Sequence, residues 1–244
     1  DVYKRQALKS GKQVLYTGTA CEIAGLKKYL RKDYPNLFTV DILCHGVPSP
    51  KVWQRYLKDQ EKLYNGKIRK VSLRQKSMGW KAFSTELIFD NKKKYEEVFT
   101  KDAYMQLFLK NICLRPSCYD CKFKSLDRDS DLTIGDCWGI EKYMPDMDDD
   151  RGTSVILVHS EQGKEMLREC EASLVLREAE VNRALPPSAD SRKSVSLHQN
   201  RCKLFKKLNR GKSTQQLLRL TEESILTKVR RKVKRKIKGL LKVD

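Results

Sequence analysis

The sequence predicts a mixed α/β (α+β) fold, with a mixed sheet, flanking helices and a basic helix at the C-terminus. Three observations predict it. The chain opens as strand, helix, strand, helix, the rhythm of a parallel sheet. Its middle then changes to short alternating strands joined by turns, the pattern of antiparallel pairing. Beyond Arg201 it turns strongly basic at helical spacing.

The elements follow in order. Gln13-Val14-Leu15-Tyr16 is a short apolar run that ends at Thr17-Gly18, which marks a strand. Ile23, Leu26 and Leu30 recur at helical spacing within Cys21 to Lys32, with Thr19 placed as the cap. Leu37 to Leu43 reads as a second strand, punctuated by Pro48-Ser49-Pro50, and Trp53, Tyr56, Leu57 and Leu63 form the apolar face of the next helix. Ile68 to Leu73, Ala82 to Phe89 and Lys94 to Phe99 are the antiparallel strands, with Asp90-Asn91 as one of their turns. Ala103 to Leu109 is helical, and Leu114 to Asp129 has no clear period. Asp131 to Ile134 is a short strand that runs into Gly135. After the acidic turn Met147-Asp148-Asp149-Asp150 come a strand over Ser154 to His159 and a helix over Gln162 to Cys170. Both Cys21 and Cys44 fall just past strand ends, where open α/β sheets place their ligand sites.

Composition bounds the function. The chain has 244 residues, 39% hydrophobic and 34% charged, which is enough apolar surface for a folded core. No apolar run reaches the length of a membrane span. The start, Asp1-Val2-Tyr3-Lys4-Arg5-Gln6, is polar, has no secretory character and lacks an initiator Met, which predicts a fragment with its upstream part missing. Eight cysteines are too few for a disulfide scaffold and predict reduced thiols in a cytoplasmic setting. Of the net charge of +20, most lies in the tail: Arg201 to Asp244 carries 16 Lys and Arg against 3 Asp and Glu. A body over 1–200 and a basic tail over 201–244 are therefore expected. In the tail, Leu226, Val229, Val233, Ile237, Leu240 and Leu241 form one stripe among basic residues. That pattern suits an anionic membrane surface, and peripheral association there, as well as it suits a solvated helix. No nucleic-acid reading motif is present, so sequence-specific binding is not expected.

The residues with chemistry are cysteines and glycine turns. Cys118-x-x-Cys121 wraps two thiols around one turn, and Cys21 and Cys44 are the best sources of two more. Four thiolates suit a cubane iron–sulfur cluster or a structural zinc, and spacing alone leaves both open. Cys44-His45 is a poor nucleophile pair, because neighbours on an extended segment point to opposite faces. Gly135-Asp136-Cys137-Trp138-Gly139 is a turn between glycines, where Trp138 would stack on a flat ligand and Asp136 would accept a hydrogen bond. A strand-ending turn with a core tryptophan fits it equally. Arg74-x-Lys76-x-x-Gly79-Trp80-Lys81 suits either an anionic cofactor or a solvated loop. Asn209-Arg210-Gly211-Lys212-Ser213-Thr214 is no phosphate loop, since Lys206 stands where that motif needs glycine.

These residues together resemble the C-terminal domain of the coenzyme F420 hydrogenase/dehydrogenase beta-subunit family. The similar stretches are Gly18-Thr19-Ala20-Cys21 with Ala24-Gly25-Leu26-Lys27, Ile42-Leu43-Cys44-His45-Gly46-Val47-Pro48-Ser49, Gly79-Trp80-Lys81, Leu114-Arg115-Pro116-Ser117-Cys118-Tyr119-x-Cys121, and Arg128-x-Ser130-Asp131-Leu132-Thr133-Ile134-Gly135-Asp136-x-Trp138-Gly139. They run in the expected order from about residue 10 to 175 and leave the last 40 or so uncovered. The resemblance implies an iron–sulfur flavoprotein oxidoreductase. A [4Fe–4S] cluster on Cys21, Cys44, Cys118 and Cys121 would lie beside FAD, with Gly18, Thr19, Gly135, Asp136, Trp138 and Gly139 near the flavin. It also implies an electron donor or acceptor protein, or a ferredoxin-like domain, as partner. Three positions depart from the family pattern: Ala20 replaces a usual Pro, Glu22 a usual Gln, and Cys137 a frequent aromatic. Cys113, Cys170 and Cys202 are expected to be ordinary thiols, as is Cys137. The alternative remains a non-enzymatic zinc module with a basic docking tail.

Overall fold

The structure is a computed structural model that describes residues 2–187, 189 and 191–222. Along the chain it has α1 (Val2–Lys9), β1 (Val14–Thr19), α2 (Ala20–Leu30), β2 (Leu37–Ile42), α3 (Pro50–Tyr64), β3 (Ile68–Gln75), β4 (Ser84–Phe89), β5 (Lys94–Val98), α4 (Ala103–Leu109), β6 (Leu132–Asp136), β7 (Ser154–Val158), α5 (Glu161–Cys170), α6 (Val181–Ala184), α7 (Arg201–Asn209) and α8 (Thr214–Leu218). The class is mixed α+β, as expected, with one mixed and one antiparallel sheet. The basic amphipathic helix expected around Leu226 to Leu241 lies outside the described residues.

Two compact units interleave along the chain. The first is Asp1–Val47, Arg74–Ser84 and Leu114–Ser196; the second is Pro48–Leu73, Thr85–Cys113 and Leu197–Asp244.

The first unit is built on a four-stranded sheet of order β1-β2-β6-β7. The first three strands are parallel, and β7 returns antiparallel to β6. Alternation along the strands sorts the side chains to two faces. On one face, Val14 and Tyr16 of β1 pack with Leu37 of β2 against Leu8 of α1 and Leu26 and Leu30 of α2. Helix α5 packs against the start of β6 through Gly163, where a methyl group would meet the Asp131 carbonyl oxygen at 2.2 Å and Leu132 Cδ2 at 3.2 Å. The Asp131 carboxylate accepts the Thr39 N–H at 2.8 Å and the hydroxyls of Thr39 and Ser160 at 2.6 Å each, so its burial is compensated. On the opposite face Leu132 is buried at 7%, while Leu15 is 62% exposed, Ile42 50%, Ile134 36% and Val158 44%.

α1 is the element with no clear sequence signal. It is polar all round and buries only Leu8. β1 also runs on to Thr19, three residues past the apolar run that marked it.

The second unit holds α3, α4, α7, α8 and the sheet of order β3-β4-β5. Its buried polar centre is Asp102, which is fully buried at the start of α4. It accepts the Tyr56 hydroxyl at 2.7 Å, the Tyr95 hydroxyl at 2.8 Å and the Met105 N–H at 2.8 Å. Trp53, Tyr56 and Tyr104 stack beside it.

Candidate functional site

Cys21 and Cys44 sit on the segments that leave the C-terminal ends of β1 and β2, and Cys118 and Cys121 lie on the loop that precedes β6. β1 ends at Thr19, and Cys21 is the second residue of α2. Partial positive charge at a helix start favours an anionic sulfur there. Glu22 fixes this start: its Oε2 accepts the Thr19 N–H at 2.7 Å and the Thr19 hydroxyl at 2.9 Å. These bonds hold the Glu22 carboxyl below the usual carboxylate range. The Thr19 hydroxyl also lies 3.1 Å from Cys21 Sγ.

Beyond β2, the Leu43 N–H bonds to Ile134 O and carries the chain to Cys44. Gly46 then adopts φ +153°, and a methyl group on it would come 2.8 Å from Leu114 Cδ1 and 3.6 Å from Cys118 Cβ. Only glycine allows this approach. The segment lies against the turn that carries Cys118. The Arg115 N–H bonds to Val47 O at 2.8 Å, the Cys118 N–H to Arg115 O at 3.0 Å, and the Val47 N–H points at Cys118 Sγ at 3.4 Å. Lys124 Nζ donates to His45 O at 2.8 Å.

The Cys44 thiol is pushed up by burial, against the pull of the Gly46 N–H and the Lys124 charge. Cys118 and Cys21 lie close enough to push the Cys44 thiol the same way. Cys121 lies one turn beyond, its N–H held by Ser194 Oγ at 2.8 Å and its side chain partly exposed. Among the described residues, no three His, Cys, Asp or Glu side chains converge as a closed cage for a single ion. The donor set nevertheless suits a sulfur-ligated anionic group: amide N–H groups face Cys118 and Cys44, a lysine lies near Cys44, and a helix start lies under Cys21.

Next to these turns is a cavity of about 230 Å³ lined by Ala20, Lys122, Phe123, Ser125 and Arg128, among others. Behind it, Arg128 meets the buried Asp41 carboxylate at 3.4 Å, and Asp41 Oδ1 has no partner among the described residues. His159 bonds to the Thr133 hydroxyl at 2.8 Å. Burial holds this imidazole below its usual value, with the Arg128 charge acting the same way and the Asp41, Asp127 and Asp131 charges opposing. No motif announced this cluster, because its members come from β2, the loop before β6 and the end of β7.

The glycine turn after β6 is placed as follows. Gly135 lies under Leu43, whose Cδ1 a methyl group would meet at 2.5 Å. Gly18 faces Glu22, with its Oε2 at 3.0 Å from such a methyl. Gly139 adopts φ +86° with open space around it. Asp136 takes Arg74 Nη2 at 2.7 Å, and the Arg74 guanidinium lies over Phe83. Trp138 stacks on the buried Trp80, with ring centroids 4.2 Å apart, and leaves half of its own surface to solvent. The cations on either side of Trp80 are also engaged: Lys76 donates to Arg151 O at 2.7 Å, and Lys81 pairs with Asp148. The acidic turn therefore braces the Trp80 loop, a pairing that neither segment signalled in sequence. Cys137 is buried beside Ile140 and Ala184, with its Sγ 2.8 Å from the Tyr143 hydroxyl. In the second unit, burial pushes the Cys113 thiol up to about 12.

A comparison with curated protein sequences finds no match. A family model that describes the C terminus of the coenzyme F420 hydrogenase/dehydrogenase beta subunit matches residues 11–184. That span takes in both early cysteine turns, the Cys118–Cys121 turn and the glycine turn after β6, and with it the chain belongs to this oxidoreductase-related family, the C-terminal domains of F420 hydrogenase/dehydrogenase beta subunits.

Proposed function

We propose that this chain is an iron–sulfur flavoprotein oxidoreductase domain in which Cys21, Cys44, Cys118 and Cys121 hold a [4Fe–4S] cluster beside FAD. The observation that carries the reading is the approach of the Cys44 and Cys118 turns, with the Val47 N–H on Cys118 Sγ and Cys21 within electrostatic reach. A flavin bound here supplies two-electron hydride chemistry, and a cluster supplies one-electron exchange. The chain's part is to position and to insulate. The Gly46 backbone lets two sulfur-bearing turns meet, and Lys124 offsets negative charge next to Cys44. Trp138 offers a half-exposed ring face near the Gly135–Gly139 turn, and Gly18 and Thr19 line the end of β1. Asp136 is oriented by Arg74 and keeps its second oxygen for a ligand. The partner would be an electron donor or acceptor protein, or a ferredoxin-like domain. The basic C-terminal segment is proposed as the part that meets an anionic membrane surface.

The test is anaerobic reconstitution with iron and sulfide, followed by visible absorption and metal analysis, with FAD binding read in a separate sample. The expected result is a broad visible band that bleaches with dithionite, lost in Cys118→Ser. A colourless protein that retains one zinc would overturn the reading in favour of the zinc module. An unchanged spectrum in Cys118→Ser would overturn the ligand set.

A further inference from the structure

We infer that Glu22, acting through the Thr19 hydroxyl, controls the hydrogen bond available to the Cys21 sulfur and so lowers the reduction potential of a cluster bound there. The inference rests on the proposed role of Cys21 as a ligand, and it makes Thr19 and Glu22 positioning residues.

The geometry gives one proton two claimants. Thr19 Oγ1 lies 2.9 Å from Glu22 Oε2 and 3.1 Å from Cys21 Sγ. A hydroxyl has a single proton to donate. The Glu22 oxygen is fixed in place, because it also accepts the Thr19 N–H at 2.7 Å. An ionised carboxylate is a stronger acceptor than sulfur, so the hydroxyl proton goes to Glu22. The hydroxyl oxygen then turns a lone pair toward Cys21. A free thiol answers this by donating its own S–H to Thr19. A metal-bound thiolate has no proton to give, and it receives none from Thr19.

Cys21 therefore differs from its neighbours. Cys118 faces the Val47 N–H at 3.4 Å, and Cys44 receives the Gly46 N–H. Hydrogen bonds to ligand sulfurs stabilise the more negative, reduced state of a cluster and raise its potential. Glu22 withholds one such bond and adds a negative charge next to it. Both effects favour the oxidised state.

The two effects separate in a mutant cycle. Glu22→Gln removes the charge but keeps an acceptor for the Thr19 N–H, so the start of α2 is preserved. It also weakens the hold on the hydroxyl proton, which is then free to turn to Cys21. Thr19→Val removes the hydroxyl at nearly constant shape. The experiment is a redox titration of the reconstituted protein, followed by electron paramagnetic resonance of the reduced cluster, with iron content measured for each variant. Glu22→Gln is expected to shift the midpoint upward. The shift is expected to be smaller when Glu22→Gln is made in the Thr19→Val background, and Thr19→Ser is expected to restore it. An equal shift in both backgrounds would mean that charge acts alone and would overturn the role of the hydroxyl. No shift in Glu22→Gln would overturn the whole inference. If Glu22→Gln fails to fold, Glu22→Ala removes the same charge and carries the same expected sign. Loss of the hydroxyl coupling leaves the ligand assignment standing. A Cys21→Ser protein with the iron content and resonance of the parent removes that assignment, and this inference with it.

Discussion

Replacing Gly46 by alanine tests the central geometry of the cysteine site. The residue has φ +153°, a region that side chains avoid, and forcing alanine there costs about 1–3 kcal/mol. The added methyl also stands 2.8 Å from Leu114 Cδ1, closer than any relaxed contact. Leu114 is fully buried, so its retreat is resisted by its own neighbours, and such overpacking adds about 1–3 kcal/mol. The chain has two ways to relieve the clash. Either Leu114 moves, or the 44–47 segment swings away from the Cys118 turn and breaks the Val47–Cys118 and Arg115–Val47 contacts. Both lower stability by about 2–6 kcal/mol, a large share of a typical domain's total. The second also separates two proposed ligands. Urea unfolding read by circular dichroism gives the stability, and iron per chain after reconstitution gives the state of the site. Gly11→Ala is the control, because Gly11 also has a positive φ (+77°) but no atom within 4 Å of an added methyl. It should cost about 1–2 kcal/mol from backbone strain alone and leave iron binding unchanged. Parental stability and parental iron content in Gly46→Ala would refute the reasoning.

Two further outcomes follow from buried polar groups. Asp102→Ala removes a helix cap and leaves the Tyr56 and Tyr95 hydroxyls without their acceptor, so urea unfolding should show a loss of about 3–6 kcal/mol; a loss below about 1 kcal/mol would contradict the network. His159 is held below its ordinary value by burial, so the unfolded chain takes up its proton first as the solution is acidified. The stability this imidazole contributes is complete above pH about 6.5 and is lost as the pH falls from there to the folded value. Urea midpoints across that window should fall less steeply in His159→Gln than in the parent, and equal slopes would reject the assignment.

The parts of the site that depend on neighbouring residues were legible in the sequence. Thr19 as a cap, the helix behind Cys21 and the strand before Cys44 all follow from local pattern, and the structure has each of them. The stack of Trp80 on Trp138 was not legible, because the Trp80 loop and the turn after β6 lie far apart in the chain and nothing in either motif says that it meets the other. The same holds for Asp41 and Arg128, a charged pair that sequence alone gives no reason to bury. α1 escaped notice for a different reason: with only Leu8 buried, it has no apolar stripe to detect. The interleaving of two units is likewise invisible to composition, since each is assembled from separated segments. Glycines show the limit most clearly. Gly135 signals close approach, and the approach is real, but the atom that approaches belongs to Leu43.

The exposed aliphatic residues on one side of the β1-β2-β6-β7 sheet have a practical consequence. Leu15, Ile42, Ile134 and Val158 are all partly or largely exposed there while the strands beneath them are folded. Dyes that fluoresce on contact with apolar surface respond to such side chains before any unfolding begins. A dye-based melting curve of this chain would start bright, and its rise on heating would understate the transition. Amide circular dichroism, which is blind to that surface, is the signal by which its variants are to be ranked.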